Sequence, residues 1–166
     1  FIGKTNVPEF GFGSQSYNPV FGVTRNAWDA TRTSGGSSGG AAVALALRMV
    51  PVADGSDMMG SLRNPAGWNN VFGLRPSLGR VPYDPHVGDG YASLLGTEGP
   101  MGRTVRDVAQ LLAIQAGRDD RQPLSIAQDG KSAAGWLGLA RSGLGIETDN
   151  AGERYTFRDR AQVAAY

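Results

Sequence analysis

The chain has no cysteine, so neither a disulfide framework nor a thiolate metal site can be built from it. Its single histidine, His86, excludes multi-histidine metal centres and leaves little room for mechanisms that need an imidazole base. No metal or cofactor is expected. Apolar runs stay far short of the roughly 20 residues that cross a bilayer, and no signal-peptide core is visible. The expected location is therefore the cytoplasm, for a chain whose opening Phe1 reads as a start that has been lost. Charge is balanced as well: 16 basic and 15 acidic residues leave a net charge of +1. The arginines are scattered from Arg25 to Arg160, which gives no electrostatic case for nucleic acid or a membrane surface.

What the chain does have is length for one domain with a core, at 166 residues, and 25 glycines concentrated among apolar-periodic segments. Residues 1–34 read as irregular, punctuated by Pro8, Pro19 and many turn formers. Ser38 to Met49 is almost wholly small or apolar and rich in Ala and Leu, which predicts a buried helix. Val50–Ala53 reads as a strand ended by Asp54-Gly55, Ser61 to about Asn69 as a second short helix, and Val71–Leu74 as another strand. Residues 79–100, with Pro82, Pro85 and Pro100, read as loop. A third helix starts at Thr104, where Thr104 and Asp107 suggest a capping box; Val105, Val108, Ala109, Leu112 and Ala116 share one face, and Gly117 stops it. This alternation predicts an α/β fold with a mixed, largely buried sheet covered by helices. Trp68, Phe72 and Trp136 are expected in the core.

Two serine-centred motifs stand out. Gly35-Gly36-Ser37-Ser38-Gly39-Gly40 is followed, 24 positions after Ser37, by Ser61 in Asp57-Met58-Met59-Gly60-Ser61-Leu62-Arg63. Together with the Ala-rich stretch and Val-Pro-Val run between them, and with Gly3-Lys4-Thr5-Asn6 upstream, they resemble the amidase signature family, hydrolases of carboxamide C–N bonds. The resemblance runs from about Gly3 to Gly138, implying a partial amidase-signature core over 1–138 and a divergent tail over 139–166. It implies Ser61 as nucleophile within hydrogen-bond reach of Ser37, and Ser37 as a relay preceded by a cis peptide bond. It also implies a lysine base upstream of the glycine-serine motif. The chain's two lysines do not match that position: Lys4 lies in the Gly-Lys-Thr-Asn stretch and Lys131 follows both serines. The implied oxyanion hole is the backbone N–H groups of Met58, Met59, Gly60 and Ser61, with Ser38, Asp57 and Arg63 in support. Where the family commonly has Thr-Gly, this chain has Met58-Met59, and a methionine at positive φ would be strained. The implied substrate is a small-molecule amide, and an interrupted fold implies self-association through an exposed sheet edge.

Other readings stay open at this level. Gly35-Gly36-Ser37-Ser38-Gly39 also satisfies the Gly-x-Ser-x-Gly elbow of α/β-hydrolases, an esterase reading with Ser37 as nucleophile, Asp54 or Asp57 as acid and His86 as base. That elbow requires a strand leading directly into the serine. Gly3-Lys4-Thr5 could close a phosphate-binding loop only if a helix followed, which Asn6 and Pro8 oppose. The remaining alternative is a family remnant without catalysis, serving as a structural or assembly piece.

Overall fold

The computed structural model describes residues 2–83, 94–122 and 124–127, plus the backbone of two short paired strands at Gly145–Ile146 and Tyr155–Thr156. After a 3-10 turn at Glu9–Gly11, the element order is β1 (Tyr17–Asn18), β2 (Gly22–Val23), α1 (Gly39–Ala46), β3 (Val52–Asp57), α2 (Arg63–Trp68), β4 (Phe72–Gly73), β5 (Thr97–Gly102) and α3 (Val105–Gln115). β6 and β7 are the two short strands at 145–146 and 155–156. The architecture is α/β, and among the described residues every strand pair is antiparallel.

The central sheet has the order β3-β5-β4. Its middle strand corrects the sequence reading, because Thr97–Gly102 lies partly in the stretch expected to be loop. Gly99 and Pro100 read as turn residues, yet Pro100 sits opposite Asp54 in the ladder. The Pro100 carbonyl accepts from the Leu74 N–H at 3.0 Å, so its missing N–H faces the side where β4 has already ended. A central strand therefore tolerates a proline here at the cost of one ladder bond.

β3 also runs past its expected end, through Asp54-Gly55 to Asp57. Gly55 is needed in the strand by a close approach rather than by a turn. A Cβ there would lie 2.7 Å from the Ser38 hydroxyl and 3.2 Å from the Met101 sulfur.

One sheet face and α1 and α2 enclose the core: Ala41, Ala42, Leu45, Leu62, Ala66, Val71 and Met101, with Ala53 packed against it. Leu45, Leu62 and Met101 are completely buried, each worth about 1.5–3 kcal/mol of apolar transfer. α1 can be buried nearly all round because its residues are Gly, Ala, Val and Leu. It ends earlier than expected, in a Schellman turn: Met49 N–H bonds the Ala44 carbonyl at 2.8 Å and Arg48 N–H the Leu45 carbonyl at 3.0 Å. Arg48 takes the left-handed position (φ 61°) that glycine usually fills. Arg103, from the end of β5, donates to the carbonyls of Leu45 and Val50, placing a cation at the α1 C-terminus.

α3 packs chiefly on β5 and opens with the full capping box. Thr104 Oγ1 accepts from Asp107 N–H at 3.1 Å, and Asp107 Oδ2 accepts from Thr104 N–H at 3.0 Å. Val108 and Ala109 are buried, but Val105, in the first turn, is 54% exposed. Trp68 and Phe72 are half-exposed rather than core, since one ends α2 and the other starts the edge strand β4. Trp136 and most of the 139–166 tail lie outside the described residues.

Candidate active site

The two serine motifs are loops that each lead into a helix. Ser37 lies two residues before α1 and Ser61 two residues before α2, which starts at Arg63 and not at Ser61. The two loops meet through their backbones, with Ser38 N–H bonding the Ser61 carbonyl at 3.0 Å. The Ser38 hydroxyl extends the junction to β3, accepting from Ser56 N–H at 3.2 Å and donating to its carbonyl at 3.4 Å. Ser37 is buried and Ser61 half-buried. Among the described residues neither the Ser37 nor the Ser61 hydroxyl has a hydrogen-bond partner, so a direct bond between them is not what joins the loops.

The first loop is held by neutral groups and close packing. Its Gly36–Ser37 peptide bond is cis. A Cβ on Gly36 would lie 2.7 Å from the Gln15 backbone nitrogen, which leaves room only for glycine. Next along the N-terminal segment, Ser16 is 1% exposed. Its N–H donates to the Gly35 carbonyl at 3.2 Å, its hydroxyl donates to the Ser37 carbonyl at 3.0 Å, and the same oxygen accepts from Gly39 N–H at 3.0 Å.

The second loop is wound around a buried charge. Asp57, completely buried, accepts from the backbone N–H groups of Gly60 (2.8 Å), Leu62 (3.3 Å) and Arg63 (3.2 Å). The Arg63 guanidinium adds a two-point contact at 2.9 and 3.1 Å. Arg75 approaches from β4's far end, 3.3 Å from the carboxylate, and also donates to the Asp57 and Leu95 carbonyls. Burial pushes the Asp57 carboxyl up, but the Arg63 side chain and the N–H groups of Gly60 and Arg63 outweigh it and hold it below the ordinary carboxylate range.

The four proposed oxyanion donors are therefore not equivalent. Gly60 N–H is committed to Asp57, whereas the N–H groups of Met58, Met59 and Ser61 have no acceptor among the described residues. The strain expected at the methionines is absent: the positive φ, 113°, falls on Gly60, and Met58 and Met59 project at 43% and 86% exposure.

Two residues of this arrangement carried no signal in the sequence. Ser16 sits in an aperiodic stretch and Arg75 in a short apolar strand region; each acquires its role only when distant segments meet. Buried Asn69 is a third, tying Ser34 and Pro65 carbonyls together at 2.8 Å each. An open cleft lined by Asn26, Trp28, Asp29, Arg32, Thr33 and Trp68 includes neither motif serine. Lys4 is exposed, while Lys131 and His86 lie outside the described residues. Among the described residues, no group of three or more His, Cys, Asp or Glu side chains could hold a metal ion. No described helix is long and apolar enough to cross a membrane.

The Amidase family model matches residues 1–134. The chain belongs to the amidase signature family. It is 40% identical over 148 residues to a glutamyl-tRNA(Gln) amidotransferase subunit of Paraburkholderia phymatum, an alignment covering 89% of this chain and 29% of that protein. With the corresponding glutamyl-tRNA(Gln) amidotransferase subunit of Saccharolobus solfataricus it shares 49% identity over 125 residues, covering 75% of this chain and 26% of the relative. Among solved structures, a bacterial aryl acylamidase of the amidase signature family superposes with a TM-score of 0.73 at 42% identity, over 76% of this chain and 26% of that one. The chain thus spans less than a third of the length of these relatives. The esterase reading is not favoured: the chain belongs to this other family, and residues 34–36 form no strand leading into Ser37. The phosphate-loop reading fails as well, since no helix starts at Thr5 and only a single 3-10 turn comes later, at Glu9–Gly11.

Proposed function

We propose that this chain carries the nucleophile and proton relay of an amidase-type hydrolase acting on carboxamide C–N bonds. The observation that carries the reading is the Ser38–Ser61 backbone bond, which brings two serine loops together at the starts of two helices in an amidase-signature chain. Ser61 Oγ attacks the amide carbonyl carbon as its proton moves to Ser37 Oγ, and the Ser37 proton passes to a lysine base. Neither Lys4 nor Lys131 matches that base, so the scheme calls for a lysine not found in this chain. The developing oxyanion is met by backbone N–H groups of Met58, Met59 and Ser61, with Gly60 N–H shared with Asp57. Collapse breaks the C–N bond, the amine leaves with the relayed proton, and water then releases the acyl group. No cofactor takes part in this scheme, and the substrate is a small-molecule amide. Asp57, Arg63 and Ser38 hold the loops without entering the chemistry.

In this reading residues 1–138 form the core segment and 139–166 a divergent tail; the family match ends at 134, although the 148-residue alignment runs at least about ten residues past 138. We place the protein in the cytoplasm, acting without nucleic acid or membrane. Self-association is supported by exposed Phe10, Phe12, Val20 and Phe21, which are 77–87% accessible, and by the outer sides of β3 and β4, which pair with no described strand.

The test is labelling with a fluorophosphonate alongside turnover of a simple aromatic amide. Ser61 should be phosphonylated slowly and Ser61→Ala not at all. Amide turnover should be lower by as much as ~10⁶, the loss seen when one essential triad member is removed. Labelling that ignores Ser61→Ala would overturn the proposal. It would favour the second reading, a non-catalytic assembly piece, for which the unmatched lysine is the supporting observation. Sedimentation of the same preparation should show concentration-dependent association; a compact monomer that binds no hydrophobic dye would remove that part.

A further inference from the structure

We propose that Ser16 is a positioning residue for the relay serine, an inference that rests on the amidase-type reading above. Three features set it apart from an ordinary buried hydroxyl. It is 1% exposed, so its Oγ exchanges with no solvent partner. Its single oxygen spans the turn at the motif's centre, donating to the Ser37 carbonyl and accepting from the Gly39 N–H, both at 3.0 Å. Between those two anchors lies Ser38, which is fixed from the opposite side by Ser61 and Ser56. The Ser37 backbone is therefore clamped on one flank by the N-terminal segment and on the other by the nucleophile loop.

The consequence is chemical as well as structural. The Ser37 hydroxyl itself bonds no described residue, so its direction depends on where the backbone carries its Cα and Cβ. Ser16 satisfies the carbonyl on one side of Ser38 and the amide on the other, so loss of its oxygen lets that peptide segment turn. A proton relay is sensitive to such turning, since misplacement by about 1 Å can cost on the order of a hundredfold in rate. Ser34 provides the contrast. It is equally buried and also a serine of this region, yet among the described residues its hydroxyl donates only to the adjacent Gly35 carbonyl, at 3.0 Å.

The experiment measures the second-order rate of fluorophosphonate labelling at Ser61, located by peptide mass spectrometry, on the full 166-residue chain with an added small primary amine standing in for the lysine that ends the relay. Ser16→Ala should slow labelling roughly ten- to a hundredfold, with Ser34→Ala within a factor of about two of the unmodified chain. In a Ser37→Ala background, Ser16→Ala should add no further loss, because its effect travels through Ser37. That last readout is one a merely structural role would not produce. Circular dichroism melting accompanies each variant. Should Ser16→Ala not fold, Ser16→Cys keeps the volume and weakens both bonds, and is expected to show an intermediate loss under the same comparison. Undiminished labelling in Ser16→Ala, or an equal loss with and without Ser37, overturns the inference while leaving the amidase-type reading intact. An unmodified chain whose Ser61 is not labelled overturns both.

Discussion

The two serine loops meet one another and precede helices in the same way, yet they are held by different physics. The Gly35–Gly40 loop contains no charge; it is shaped by contact with the Gln15 backbone and by neutral hydrogen bonds to Ser16. The Asp57–Arg63 loop folds around one fully buried carboxylate that gathers three backbone N–H groups and an arginine, with a second arginine close by. The first arrangement is sensitive to added volume and indifferent to pH. The second tolerates large side chains, Met58 and Met59 among them, but depends on the ionisation of a single group. A site assembled from both inherits two separate ways of failing.

The largest effect should come from Asp57→Ala. It leaves two buried N–H groups, a partly buried third and a half-exposed guanidinium without their acceptor, a loss of about 3–5 kcal/mol in all, measurable by urea denaturation. Because the Asp57 carboxyl is held below its ordinary value of 3.8, its contribution is fully present above that pH and is lost as the pH falls through the lower folded value. The Asp57→Ala variant should therefore lose the acid-induced part of the unfolding curve. A variant as stable as the parent at pH 7 would show that the carboxylate does not organise the loop.

A smaller loss should follow Gly36→Ala in the uncharged loop. Its Cβ would meet the Gln15 backbone nitrogen, carbonyl carbon and Cα at 2.7–3.0 Å, and backbone cannot rotate away as a side chain can. Overpacking of this kind costs about 1–3 kcal/mol, and here the cost should be the same at pH 5 and pH 8. A pH-dependent loss would blur the distinction between the loops.

A third effect concerns the sheet beneath the charged loop. Glu98 pairs across from Ser56, and burial, with a further contribution from the Asp54 carboxylate, raises it to about 7. Asp54 lies two residues from Ser56 and so on the same face. For an acid raised in the folded state the sign is opposite to that of Asp57: stability falls as the pH rises from about 4.5 towards 7. Glu98→Gln should accordingly raise the melting temperature at pH 8 and leave it nearly unchanged at pH 4.5. Equal shifts at both pH values would mean that Glu98 is ionised freely in the folded chain.

Much of this protein was readable from local patterns. The Ala-rich run made α1 a buried helix, Thr104 and Asp107 announced a real capping box, and the paired serine motifs pointed to the family that the comparisons establish. Local rules misled where a residue's usual meaning was overridden by its neighbours. Asp54-Gly55 and Gly99-Pro100 are turn formers by composition, yet they pair with one another inside the sheet. Gly55 is there for the Ser38 hydroxyl, and Pro100 survives because β4 stops short of it.

Sequence alone settled which residues are small, which are apolar in helical rhythm, and where the two serines stand, because those properties depend on neighbours within a few positions. Only the tertiary structure decided that Ser16, 21 residues away, would hold the Ser37 carbonyl, and that Arg75 would reach Asp57 across 18. It also decided that Gly60 N–H would be committed to a carboxylate while the N–H groups of Met58, Met59 and Ser61 were not. Such bonds have no periodicity to betray them. They form when chain closure brings polar groups into a space without water, where each must find whichever partner the fold has placed in reach.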